Sequence, residues 1–173
     1  MTRDTKPVKS IIAETINKME EAQQNPNGQS GLHSGYMGLD RVTFGWQNSD
    51  LVIIAGRPGM GKTAFVLTMA RNMAVDFSIP VAFFSLEQAP EQLVQRLMIA
   101  ETGISSDKIK GAKKMTDSDW VQLSDKLNRL VDAPLYIDDT PSLSITDLRA
   151  KARKLRLRHS ARAETECDSR AWC

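Results

Sequence analysis

The chain has 173 residues, 41% hydrophobic and 25% charged, with a formal net charge of +2. This is ordinary for a globular domain, and the charge is too small to signal nucleic-acid binding by itself. No apolar run approaches the roughly 18 residues that span a membrane, and the polar N-terminus lacks the apolar core of a secretory leader. Both cysteines, Cys167 and Cys173, fall at the extreme C-terminus and cannot staple a core, so the cytosol is the expected compartment.

Val8, Ile11, Ile12, Ile16 and Met19 form one apolar stripe at helical spacing, which predicts a helix over 8–24. Asn25-Pro26-Asn27-Gly28 ends it and opens a polar, flexible linker over 25–34. A single short amphipathic helix is marginal in water. It either folds back on its own domain or docks on a neighbouring subunit. Leu51-Val52-Ile53-Ile54-Ala55 is a continuous apolar run of strand length, the pattern of a strand buried on both faces. A helix is predicted from Lys62 to about Phe77, with Phe65, Met69 and Met73 on one side, and a strand over 81–84.

A further helix covers about 91–101, with Leu93, Leu97 and Ala100 inward and Gly103 as its stop. Thr116-Asp117-Ser118-Asp119 has the form of a capping box, and Trp120, Leu123, Leu127 and Leu130 follow at helical spacing. Leu135-Tyr136-Ile137 is a third strand, and Ser144-Ile145-Thr146-Asp147 opens a helix to about His159. The alternation predicts an α/β fold, a parallel sheet flanked by helices. Residues 161–173 carry no apolar periodicity and are expected as a disordered tail foreign to the domain.

Gly56-Arg57-Pro58-Gly59-Met60-Gly61-Lys62-Thr63 meets the pattern G-x-x-x-x-G-K-[ST]. Glycines let the backbone turn so that successive N–H groups point into one concavity. The following helix adds its unpaired N–H groups and the positive end of its dipole. Lys62 is placed to reach the β- and γ-phosphates of ATP, and the Thr63 hydroxyl to ligate Mg²⁺. Glu87 stands at the carboxyl end of the 81–84 strand, the end of an α/β sheet where ligands bind. It reads equally as a general base facing the γ-phosphate and as a solvated loop glutamate. Asp138 and Asp139 follow another strand; they read as magnesium carboxylates or as caps on the turn into Thr140-Pro141.

With these motifs in order, Gly35 to His159 resembles the first part of the RecA-like motor domain of bacterial replicative DNA helicases of the DnaB type. The resemblance rests on Thr43-Phe44-Gly45-Trp46-Gln47, on the run from Asp50 to Phe65, on Phe84-Ser85-Leu86-Glu87 and on Tyr136-Ile137-Asp138-Asp139-Thr140-Pro141. It implies a P-loop ATPase in a homohexameric ring that moves along single-stranded DNA and opens the duplex at a replication fork, with primase and a loader as partners. It implies nucleotide contacts from Gly56 through Ala64, a catalytic role for Lys62 and Glu87, and Thr63 at the metal. Residues 8–24 resemble the linker helix that packs on the adjacent subunit. Asp138 and Asp139 lose ground, because the family's magnesium aspartate lies on a later strand that ends in Asp-Tyr-Leu-Gln.

That strand, the DNA-binding loops and the arginine finger are not found in the chain, so residues 35–160 are expected as a partial motor. An arginine finger contributes about 10³–10⁵ in rate in related nucleotidases. The isolated chain is therefore expected to bind ATP·Mg²⁺ with little turnover. Two alternatives are another RecA-like ATPase and a non-catalytic nucleotide-binding or assembly module. The cations Arg149, Lys151, Arg153, Lys154, Arg156 and Arg158 read as the solvated face of a helix or as a DNA contact. Trp46 and Trp120 are read as packing anchors.

Overall fold

The computed structural model describes residues 7–24 and 31–168, and the chain divides into two compact units, Met1–Lys62 and Thr63–Cys173. In the first unit, α1 (Val8–Gln24) and α2 (Met37–Thr43) are the helices. The stripe of α1 is exposed, including Ile11, Ile12, Ile16 and Met19. Residues 31–34 are not a free linker. Leu32 pairs with Trp46 in an antiparallel bridge, with N–H to carbonyl distances of 2.9 and 2.8 Å. Ser34 is fully buried and donates both its backbone N–H and its hydroxyl to Asp40 Oδ1. Gly45 at φ 81° makes the bridge possible, because a Cβ there would stand 2.7 Å from the Leu32 carbonyl oxygen.

The expected strand over 51–55 does not form. The segment has no regular structure, and Leu51 and Ile53 are 87% and 80% exposed. A strand exists only through the ladder it shares with a neighbour. Among the described residues no other strand pairs with this one, so its apolar content does not bury it.

The second unit is built around a two-stranded parallel sheet. Strand β1 (Val81–Phe84) pairs with β2 (Leu135–Asp138) in the register Val81 to Leu135 through Phe84 to Asp138. Parallel strands need a long crossover, which α4 (Pro90–Thr102), the short α5 (Ser106–Ile109) and α6 (Asp117–Val131) supply. Before β1 come α3 (Lys62–Arg71) and a π-helical turn over Asn72–Asp76; after β2 comes α7 (Ile145–Asp168). Residues on one sheet face, among them Phe83, Leu135 and Ile137, pack against a core of Leu67, Leu93 and Leu97. The opposite face, with Ala82, Phe84, Tyr136 and Asp138, borders a cleft of about 430 Å³ against α7.

The helix boundaries follow their local signals. Thr116 accepts from the Asp119 N–H while Asp119 accepts from the Thr116 N–H, a complete capping box. Ser144 caps α7 with its side chain alone: its hydroxyl accepts from the Asp147 N–H at 3.1 Å and donates to the Asp147 carboxylate at 2.6 Å. Gly103 closes α4 at φ 72°, its N–H donating to the Ile99 carbonyl. The inward residues depart more from expectation. Leu93, Leu97 and Leu123 are buried, but Ala100 is exposed and Trp120 is 57% exposed, no packing anchor. On α3 the unforeseen Leu67 joins Met69 in the core while Phe65 is partly exposed. Helix α7 continues to Asp168, so residues 161–168 are helical rather than irregular; 169–173 lie outside the described residues.

Candidate phosphate-binding site

Gly59 and Gly61 take φ angles of 78° and 83°, the left-handed region that side chains disfavour. Apart from its two chain neighbours, nothing lies within 4 Å of where a Cβ would project from either glycine, so the backbone there faces open space. The Met60 N–H donates to the Arg57 carbonyl at 3.2 Å, closing the turn. Lys62 opens α3 and its Nζ donates to the Gly56 carbonyl at 3.2 Å, which holds the ammonium over the loop. Gly56 lies against the Lys62 stem, with a Cβ position 3.4 Å from Cγ. Thr63 follows in the first turn of the same helix and is half-buried. Residues from Gly56 to Ala64 thus form a glycine turn running into a helix N-terminus, which suits an anionic ligand. The Thr63 hydroxyl is of the hard oxygen type that Mg²⁺ takes.

Within the second unit, α3 and α4 are tied to each other at two points. Leu67 of α3 shares one cluster with Leu93 and Leu97 of α4. One turn further along α3, Arg71 pairs with Glu101, which lies one turn past Leu97. From the cluster to the ion pair the two helices therefore run in the same sense. Thr63 lies in the first turn of α3, one turn before Leu67, and Glu87 precedes the first residue of α4 by three positions. Glu87 is exposed, in the bend between β1 and α4. Buried Ser85 organises that bend: its N–H donates to the Asp138 carbonyl at 2.8 Å, and its hydroxyl donates to the Gln88 carbonyl at 2.7 Å.

Asp138 is engaged elsewhere. Lys151 Nζ lies 2.8 and 2.5 Å from its two carboxylate oxygens and also contacts the Thr140 hydroxyl. The Lys151 hydrogen bonds, followed by those from Thr140, push the Asp138 pKa from 3.8 down to about 2. A carboxylate held by an ammonium is poorly placed to serve as a metal ligand, so the capping role fits Asp138 better. Among the described residues no cluster of His, Cys, Asp and Glu could hold a metal. The sequence did not reveal the Lys151 clamp, because its thirteen-residue separation from Asp138 matches no local motif. Arg149, Arg153, Lys154, Arg156 and Arg158 are exposed on α7, while Lys151 is turned to Asp138.

Comparison with known proteins identifies the family and the fold. The family model for the DnaB-like helicase C-terminal domain matches residues 31–163. Replicative DNA helicase DnaB of Geobacillus stearothermophilus is 41% identical over 151 residues, which cover 87% of this chain and 33% of that protein. DnaB of Nostoc sp. is 44% identical over 147 residues, 83% of this chain and 17% of the relative. The chain thus spans a third or less of these relatives. Among solved structures, an ATPase domain aligns with a TM-score of 0.81 at 30% identity, covering 90% of this chain and 54% of that one. A DnaB-like replicative helicase, studied with its primase interactions, aligns with a TM-score of 0.74 at 31% identity over 90% of this chain and 36% of its own. The fold is that of a RecA-like P-loop ATPase, represented here by a small parallel sheet and its helices. More closely, the chain belongs to the DnaB-like helicase C-terminal domain family.

Proposed function

We propose that this chain is a nucleotide-binding part of a replicative helicase motor, which in its assembled form couples ATP hydrolysis to opening of duplex DNA at the fork. The observation that carries the reading is the turn from Gly56 to Gly61, whose left-handed glycines lead directly into the α3 N-terminus. There the backbone N–H groups and Lys62 bind the phosphates of ATP, and the Thr63 hydroxyl is the magnesium ligand. Bound Mg²⁺ would neutralise phosphate charge. Glu87, in the bend between β1 and α4, orients the attacking water. Family membership decides against the alternative of a recombinase-type ATPase.

The chain by itself is proposed to bind ATP with little turnover, since among the described residues no cluster of carboxylates completes a metal site. Its proposed partners are single-stranded or forked DNA, primase and a loader, and further copies in a homohexamer reached through the exposed stripe of α1. The compartment that fits this role is the cytoplasm; among the described residues no helix is long and apolar enough to cross a membrane.

Calorimetric titration with ATP·Mg²⁺ tests the core of this reading. The chain should bind, and Lys62→Ala should weaken binding by about tenfold or more, the loss of one charge-assisted phosphate contact. Equal affinity in the folded variant would sink the assignment of the loop.

A further inference from the structure

Away from the phosphate loop, four charged side chains close a ring of alternating sign. Arg71 lies at the end of α3, and its Nε and Nη2 reach Glu101 Oε2 at 2.7 and 2.5 Å. Its Nη1 reaches Asp76 Oδ2 at 2.6 Å. Arg129 of α6 reaches Asp76 Oδ1 at 3.1 Å and stands 3.9 Å from Glu101 Oε1. The Glu101 side chain is 7% exposed and that of Arg71 18%, so solvent screens the central pair weakly. The ring also explains the π-helical turn over Asn72–Asp76. Arg71 and Asp76 are five residues apart, a spacing that points away on an α-helix but meets where hydrogen bonds run i to i+5.

We propose that this ring is a positioning device that sets α3 against α4, and through them sets Thr63 against Glu87. This rests on the function proposed above. The leucine cluster ties the two helices at mid-length but is non-directional, so it permits sliding and rotation. A guanidinium fork has a planar geometry and does not. Arg71 and Glu101 sit near the trailing ends of α3 and α4; Thr63 lies in the first turn of α3, and Glu87 in the bend three residues before α4. The ring touches no nucleotide; it acts through the helices on the region where a γ-phosphate is distinguished from its absence.

The test is the ratio of affinities for AMP-PNP·Mg²⁺ and ADP·Mg²⁺, measured on the whole chain. Wild type should prefer AMP-PNP. Arg71→Met and Glu101→Leu, singly and together, replace the pair with apolar groups that keep the helices packed. Each should lower AMP-PNP affinity by about tenfold while leaving ADP within about twofold, and the double variant should lose no more than either single one. Circular dichroism verifies that the variants are folded. If a single variant fails to fold, the double variant, which leaves neither charge alone, supplies the measurement. Equal weakening of both nucleotides, or an unchanged ratio, overturns the positioning role while the phosphate site stands. If wild type binds neither nucleotide, both proposals fall.

Discussion

Two short apolar segments, Leu51–Ala55 and Val81–Phe84, have opposite fates. On composition they are equivalent strand candidates, and the first is the more uniformly aliphatic. Yet 81–84 is a strand with a partner, and 51–55 is irregular and solvent-exposed. The difference lies in what the rest of the chain brings alongside. The 81–84 segment is followed by a crossover that returns β2 in parallel, and α3 and α4 supply leucines beneath that sheet. The 51–55 segment precedes the glycine loop, and no described strand comes to its side. Apolar content is a demand for burial; hydrogen-bond partners and a covering layer decide whether it is met.

Amide exchange should expose the contrast most strongly. The N–H groups of Val81 and Ser85, bonded to the Pro134 and Asp138 carbonyls, should exchange slowly, while those of Ile53 and Ile54 exchange close to the unprotected rate. Comparable protection of the two segments would mean that 51–55 finds a partner in solution. Substitutions should rank likewise in denaturant titrations. Leu93→Ala, in the core beneath the sheet, should cost about 2–5 kcal/mol, whereas Ile53→Ala should stay within about 0.5 kcal/mol. A substantial loss at Ile53 would break the comparison.

The crossover that makes β1 and β2 neighbours depends in part on the capping box at the start of α6. Thr116→Ala should cost about 1 kcal/mol, read as a shift in denaturant midpoint; no shift would show that packing alone sets this helix start. The smallest effect concerns the end of β2. The Asp138 pKa, held near 2 in place of 3.8 chiefly by the Lys151 hydrogen bonds, makes the ionised carboxylate the favoured form in the fold. Its contribution is therefore complete above pH 3.8 and fades as the pH falls toward 2. In Lys151→Ala the Asp138 carboxyl resonance, followed by NMR, should titrate nearer the ordinary carboxylate range. An unmoved midpoint would assign the shift to Thr140 instead.

The phosphate loop was readable because its chemistry is contiguous: two glycines, a lysine and a threonine at fixed offsets, then a helix. Helix ends were readable for the same reason, since Thr116, Ser144 and Gly103 act on residues within one turn. Which side of each helix turns inward was less legible. Spacing put Trp120 in line with Leu123 and Leu127, but the exposed Trp120 shows that the buried arc of α6 begins later. Helix α2, the π-helical turn and the ion pairs of Arg71 and Lys151 went unseen, because their partners lie elsewhere in the chain or depend on a non-α turn.

By itself, then, the sequence determined the glycine turn that leads into α3, most helix limits, two of the three proposed strands and the resemblance to the DnaB-type motor, all encoded over a few neighbouring residues. Only the tertiary structure decided that Leu51–Ala55 remains unpaired, that Asp138 is clamped by Lys151, and that Arg71 of α3 pairs with Glu101 of α4. Each of these depends on which distant segment comes to lie alongside, and strand partners, ion pairs and helix register carry no signature in local spacing.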